Sequence, residues 1–295
     1  MDMHVVTIVI LGILGLVFGS FSGATVWRLR ALQLKRDAKD GEKIQASEKR
    51  QVAKLQRKPA HKDRSVCLHC GHELKWYDLI PLFSWLSLGG KCRYCHKPIG
   101  LFEPLIEIGL AVFFVVSFLA WPLPLTEAFE IARFIIWLVA GTGLAILFAY
   151  DAKWFLLPDV VTFPVIGLGF VNAVLIVVHS PSPQMSALGV LGSCLVLSGL
   201  YYLIYVLSNK KWVGFGDVKL GLALGLLLAD WRLALLALFL ANLIGTIIIL
   251  PFLLAGKLNK GAHIPFGPLL IAGWAIAGLF GYNILSWYLM LALGL

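Results

Sequence analysis

The sequence predicts an all-α polytopic membrane protein, with about eight transmembrane helices and a small cytoplasmic four-cysteine module between the first and the second. Three observations predict it. The chain of 295 residues is 59% hydrophobic and only 14% charged, with a mean hydropathy of +0.86, which no soluble domain of this length sustains. Apolar runs long enough to cross or enter a bilayer recur along it. Of its 25 Lys and Arg residues, 17 fall between Arg28 and Lys97, after the first apolar run and before the second. That bias marks a cytoplasmic loop under the positive-inside rule. The net charge of +9 is therefore a property of one loop facing an anionic inner leaflet of membrane lipids, and no nucleic-acid partner is expected.

Val5 to about Val26 forms the first span, uncleaved and with its N-terminus outside, because no basic segment and small-residue cleavage site precede it. Gly19, Ser20, Ser22, Gly23 and Ala24 suit close helix packing. Arg28 to Arg64 is rich in Lys, Glu, Gln and Ala and reads as an exposed helix with charge pairs, or partly disordered chain, to which no chemistry is assigned. Further apolar runs cover 104–121, 131–150, 160–178, 186–208, 218–230, 233–256 and 266–293. Gly281 and Asn283 allow a kink or a split in the last. The loops alternate: Trp121–Glu130 has acids and no Lys or Arg, whereas Lys210, Lys211, Lys257 and Lys260 mark cytoplasmic turns, with Arg232 the exception. The expected organisation is a first helix over 1–27, a basic segment and cysteine module over 28–103, and a membrane core over 104–295.

Four of the five cysteines lie in the basic loop, where a reducing cytosol keeps them as thiols or metal ligands. Cys67-Leu-His-Cys70 and Cys92-Arg-Tyr-Cys95 are two CxxC knuckles separated by 21 residues, close to the spacing of tetrahedral four-cysteine zinc sites. Gly71, Gly89 and Gly90 supply the backbone freedom that knuckles need. Redox-active dithiols and another metal are the competing readings, and His69, His72 or His96 offers a substitute ligand. A structural zinc contributes on the order of 10 kcal/mol to folding, enough to hold a module with almost no core. The intervening Trp76–Leu86 stretch is apolar and aromatic, fit to lie on a membrane surface or pack under a bundle. Cys194, in an apolar run, reads as a buried structural residue.

Two acids stand where apolar segments reach the cytoplasmic side. Asp217 follows Gly214-Phe-Gly216 and precedes the run from 218, and Asp151 closes the run over 131–150. A charge in a span costs up to roughly 3 kcal/mol at the bilayer centre, so such residues mark functional sites. The bland alternative is a helix cap with glycines serving only the turn. Gly214 and Gly216 would let the backbone take positive φ or let another chain approach. Asp159 reads as a cap of the next helix or a substrate contact, and Lys219 as a group that orients a carboxylate or snorkels to the interface. Two carboxylates converging on one water can hydrolyse a peptide bond, one as general base and the other as general acid, sharing a proton because both cannot easily ionise at short range.

With these residues in place, the chain resembles the type IV prepilin peptidase family, the bacterial branch of the GxGD membrane aspartyl proteases. Gly214-Phe-Gly-Asp217-Val-Lys-Leu is similar to the GxGD motif, and Tyr150-Asp151 with Leu156-Leu-Pro-Asp159 to the first aspartate motif. The cysteine knuckles enclosing Asp78-Leu-Ile-Pro81 and Ser84-Trp85-Leu match the family's cytoplasmic module, and Gly19-Ser-Phe with Trp27-Arg-Leu, and Ile264-Pro-Phe-Gly-Pro268, match its flanking signatures. The resemblance implies an inner-membrane enzyme with Asp151 and Asp217 catalytic, cutting type IV prepilin or pseudopilin precursors after a glycine on the cytoplasmic side. It further implies methylation of the new N-terminal residue from S-adenosylmethionine. The basic insertion over 34–63 matches no family motif. In Leu101-Phe-Glu103-Pro-Leu-Ile-Glu107 the second glutamate matches, whereas Glu103 stands where the family has another residue type. No soluble glycine-rich methyltransferase fingerprint occurs, so no residue is assigned to the donor. A peptidase without methyl transfer, a proton- or cation-linked carrier and an inactive zinc-bearing scaffold are the alternatives.

Overall fold

A computed structural model of the chain describes residues 3–41, 44–55, 64–256 and 265–294, and divides it into two compact units, residues 1–118 and 119–295. The basic residues Lys257 and Lys260, Ile264 of the last flanking signature, and residues 42–43 and 56–63 of the basic insertion lie outside the described residues.

In the first unit, α1 (Met3–Lys39) is 37 residues long, about 55 Å at 1.5 Å per residue, and so outlasts a hydrocarbon core of about 30 Å. It continues as one helix past Arg28, where the basic segment begins, to Lys39, in keeping with the helical reading of that segment's start. After it, α2 (Ala46–Val52) is tied back by an Arg30–Glu48 ion pair at 2.6 Å. Gly15, Gly19 and Gly23 recur four apart on one face of α1. A Cβ on Gly15 would lie 2.5 Å from Ala111 Cα, and one on Gly19 would collide with the backbone of Glu107. The small residues thus let α4 (Phe102–Leu119) approach backbone to backbone, as the sequence suggested. Between these helices the cysteine module folds around two short antiparallel bridges, Val66 with Glu73 and Lys91 with Pro98, and carries the short α3 (Phe83–Ser87). Gly71, Gly89 and Gly90 have φ of +76°, +58° and +71°, the left-handed turns that the knuckles require.

The second unit contains α5 (Ala128–Trp154), α6 (Asp159–His179), α7 (Pro183–Cys194), a π-helical stretch over Leu195–Gly199, α8 (Leu200–Leu207), α9 (Phe215–Leu228), α10 (Trp231–Leu254) and α11 (Phe266–Leu293). Among the described residues seven helices are long and apolar enough to span: α1, α4, α5, α6, the continuous Pro183–Leu207 segment, α10 and α11. The eighth expected run is α9, whose 14 residues extend only about 21 Å at 1.5 Å per residue. Its packing explains the length. Gly221 and Gly225 meet the backbone of Leu197 and Cys194, and Ser193 and Ser198 donate to the carbonyls of Gly225 and Val218 at 2.8 and 2.9 Å. The π-turn falls against these notches, where an extra residue in the helix re-aims its side chains. Cys194 is half-buried there, its backbone against Gly225.

Where α9 ends, Asn172 of α6 donates to the carbonyls of Leu226 and Leu227 at 3.3 and 3.0 Å, satisfying groups that a helix C-terminus leaves unpaired. Its own oxygen accepts from Arg133 at 3.4 Å, and Arg133 pairs with the buried Glu130 at 3.3 Å. Arg232, the exception to the charge pattern, is neutralised by Asp230 at 2.8 Å. The core is closed by Trp137 of α5 stacked on Trp274 of α11, ring centroids 4.0 Å apart. α11 is one continuous helix rather than two segments. Gly281 serves packing, since a Cβ there would lie 2.5 Å from Leu233 of α10.

Candidate active site and metal centre

Asp151 sits on the last turn of α5, 6% exposed beneath Phe155, which ends the helix in the left-handed conformation at φ +57°. Its Oδ2 accepts the backbone N–H of Gly267 at 3.1 Å. Gly267 is the second residue of α11, where backbone N–H groups have no partner within the helix and the dipole favours negative charge. A Cβ at this position would lie 2.7 Å from the same oxygen, so a side chain here would push the carboxylate aside. The signature around residues 264–268 thus includes the donor to the first carboxylate. The sequence held that motif but gave no reason to pair it with Asp151.

Asp217 is the third residue of α9. Its Oδ2 accepts the N–H of Gly214 at 3.2 Å while its own N–H donates to the Gly214 carbonyl at 3.1 Å. The capping reading is therefore satisfied by the residue that also forms the site. Neither motif glycine takes positive φ: Gly214 is extended at φ −78°, and a Cβ on Gly216 would meet Leu157 at 3.2 Å. Close packing against the loop that follows Asp151, not a special dihedral, is what Gly216 provides. Asp217 lies close enough to act electrostatically on Asp151 and on Tyr201 of α8. The buried Tyr201 ring in turn sits 5.4 Å from Phe266. The ends of α5, α9 and α11 thus converge beside Tyr201, and three residues join the site: Tyr201, which the sequence did not single out, and Gly267 and Leu157, which it offered only as parts of motifs.

Asp159 and Lys219 form an ion pair with each other. Pro158, not Asp159, is the capping residue of α6, and Asp159 occupies the first helical position, facing α9. Lys219 extends its ammonium over the rings of Phe163 and Phe215 at 5.5 and 5.6 Å. The carboxylate it orients is that of Asp159.

The sulfurs of Cys67, Cys70, Cys92 and Cys95 all lie within 4.8 Å of one another, with Cys67 and Cys95 at 3.9 Å. A tetrahedron of zinc–sulfur bonds near 2.3 Å has edges of about 3.8 Å, so the set fits such an ion. Burial pushes the Cys67 thiol up to about 12. Burial also opposes the Cys92 thiolate, but the N–H groups of Cys95 and Tyr94 outweigh it and hold that thiol below its ordinary value. Nearby, burial works against the charge on Asp78, yet Arg93, the N–H of Lys75 and the Tyr94 hydroxyl together hold its carboxyl below the usual range. These contacts lock the 3₁₀ turn over Trp76–Asp78 onto the second knuckle.

The cysteine cluster falls within residues 13–121, which match the bacterial peptidase A24 N-terminal domain, and both acids fall within residues 137–250, which match the type IV leader peptidase family. A prepilin leader peptidase/N-methyltransferase of Pseudomonas aeruginosa is 33% identical over 290 residues, 95% of this chain and 92% of that one. The protein of the same name from Aeromonas hydrophila is 36% identical over 227 residues, covering 77% and 74% of the two chains. That of Xanthomonas campestris is 31% identical over 287 residues, 95% and 93%. No solved structure gives a significant match. Two domain matches in the family's order, together with relatives aligned over nearly their whole length, establish that the chain belongs to the type IV leader peptidase family, alongside the prepilin leader peptidase/N-methyltransferases.

Proposed function

We propose that the chain is a multi-pass inner-membrane endopeptidase that removes the leader of type IV prepilin-like precursors after a glycine at the cytoplasmic face, with Asp151 and Asp217 as its catalytic pair, and then N-methylates the new terminus. One observation carries the peptidase half. Two acids 66 residues apart in sequence come within electrostatic range at helix ends, each with one oxygen held by the backbone N–H of a glycine. Each carboxylate keeps its other oxygen for chemistry. One takes a proton from water as the water oxygen attacks the scissile carbonyl carbon. The other, protonated, hydrogen-bonds the carbonyl oxygen and then protonates the leaving nitrogen as the C–N bond breaks. Neighbouring anions repel, so the pair would hold one proton between them, which would set it ready for both steps.

The cytoplasmic orientation is supported by the charges flanking the second unit. Lys153, Lys210 and Lys211 lie at the end that carries the acids, whereas at the other end Arg133 and Arg232 are each matched by an acid. Zinc would be held by the four cysteines as a folding element of the first unit, with no part in a reaction step. S-adenosylmethionine would supply an electrophilic methyl group on a cationic sulfur. A buried carboxylate oxygen of Glu103 with no hydrogen-bond partner among the described residues suits that charge.

Mass spectrometry of a model prepilin incubated with the purified enzyme and methyl donor reports both events, a shortened chain and an added methyl group. Normal processing by Asp151→Asn or Asp217→Asn would refute the pair.

A further inference from the structure

Methyl transfer to an amine requires an acceptor for the ammonium proton and a place for two positive groups. The first unit contains a cavity with that chemistry. It measures about 220 Å³ and lies among Ser20, Ala24 and Trp27 of α1, the Leu82–Trp85 segment, and Glu103 and Glu107 of α4. Small-molecule sites commonly run to roughly 300–1,000 Å³, so this one suits the reacting ends of two ligands rather than a whole donor. Glu103 and Glu107 are one helical turn apart and close enough to interact electrostatically.

The two differ in how they are held. Glu107 is buried, with one oxygen accepting the N–H of Leu82 at 2.7 Å. Glu103 accepts from Trp27 Nε1 at 2.9 Å through Oε1, while its Oε2 is buried with no hydrogen-bond partner among the described residues. An orphaned carboxylate oxygen beside a second carboxylate is costly unless a proton or a cationic ligand completes it. The other titratable groups in the wall are Arg28, His69, Asp78, Arg93 and the thiols of Cys67 and Cys92, and of these Asp78 and Arg93 are bound to each other.

We propose that this cavity is the methyl-transfer site, in which Glu103 takes the proton from the amino terminus freed by cleavage and Glu107 is the fixed countercharge. The assignment rests on the reading above that the chain methylates an amine. Glu103 removes one proton from the ammonium, and the nitrogen lone pair then forms the N–C bond. The methyl–sulfur bond breaks, its electron pair stays on sulfur, and the sulfonium becomes a thioether. The nitrogen ends as a methylated ammonium, and the Glu103 proton passes to water.

The full-length enzyme in detergent, given S-adenosylmethionine and a synthetic peptide that already begins with phenylalanine, tests the site without requiring cleavage. At pH 6.5, Glu103→Gln should slow methylation by about 100-fold, the size of a lost general base. By pH 9 the defect should shrink to within about fivefold, because an α-amino group with a pKa of about 7.7–8.0 then deprotonates unaided. Glu103→Asp, which keeps the carboxylate, should retain the wild-type pH profile at a reduced rate. Calorimetry should show wild type binding S-adenosylmethionine about tenfold more tightly than S-adenosylhomocysteine, whose sulfur is uncharged, about 1.4 kcal/mol, and Glu107→Gln losing most of that preference. Unchanged methylation in Glu103→Gln, or a defect equal at every pH, overturns the assignment. A wild type that neither binds the donor nor methylates the peptide overturns the methyltransferase reading itself, so the two failures are told apart by which protein shows them.

Discussion

Each unit carries a pair of acids, and the two pairs are assembled in opposite ways. Asp151 and Asp217 come from different helices, and each is fixed by the N–H of a glycine at the start of a helix. Glu103 and Glu107 come from successive turns of one helix, fixed by a tryptophan and a loop N–H, with one oxygen left over. The first pair is a product of tertiary structure and fails if any of three helix ends moves. The second is built into α4 and depends on how closely α1 lets that helix approach. A pair gathered from afar suits a reaction that must share one proton between two groups, whereas a pair on one helix suits a fixed concentration of negative charge.

The largest effect that can break this comparison is metal removal. Cys67→Ser or chelation should cost the module most of the roughly 10 kcal/mol a structural zinc supplies. The measurement is hydrogen exchange, with protection lost over 64–101 and retained in α9 and α11. Retained protection over 64–101 would mean that the module folds without its ion. Next, Asp151→Asn or Asp217→Asn should lower leader cleavage by about 10²–10⁴-fold, while methylation of a peptide with a free amino terminus stays within about twofold. Equal loss of both activities would show that the pairs do not work separately.

Gly267→Ala comes third. The added Cβ must displace Asp151 or α11, an overpacking cost of about 1–3 kcal/mol, so cleavage should fall about 10–100-fold with little change in affinity for the precursor. Wild-type cleavage would remove Gly267 from the site. Lys219→Gln should be the mildest. Asp159 is half exposed, and such pairs contribute about 0.2–1 kcal/mol, so less than about a fivefold loss is expected. A larger loss would return Lys219 to a direct role toward the catalytic acids.

Much of this was legible in the sequence because it depends on side chains in periodic or spaced patterns. The spans follow from apolar runs, the four-cysteine cluster from paired CxxC knuckles, and the acids from their position at the ends of those runs. The partners of the acids were hidden because they are backbone N–H groups, and an amide at Gly267 has no sequence signature that ties it to residue 151. Of the two roles offered for Gly214 and Gly216, positive φ is not used, since their dihedrals are ordinary, whereas close approach is what Gly216 provides, to Leu157 of this same chain. Gly281 does not split the last helix as the sequence allowed; the glycine lets α10 press close instead. The run over 218–230 was counted among the transmembrane helices, although α9 is only 14 residues long, because hydropathy does not distinguish a lipid-facing span from a short helix enclosed by others.

The shortness of that enclosed helix bears on the living cell. An enzyme that admits water to two carboxylates at one side of an energised bilayer must not become a conduit for protons. Where α9 stops, Asn172, Arg133 and Glu130 occupy the gap with one another's hydrogen bonds, so no file of water is required to solvate the last carbonyls. If Asp151 and Asp217 are the catalytic pair, this paired polar cluster would let them work at one face without opening a proton path to the other.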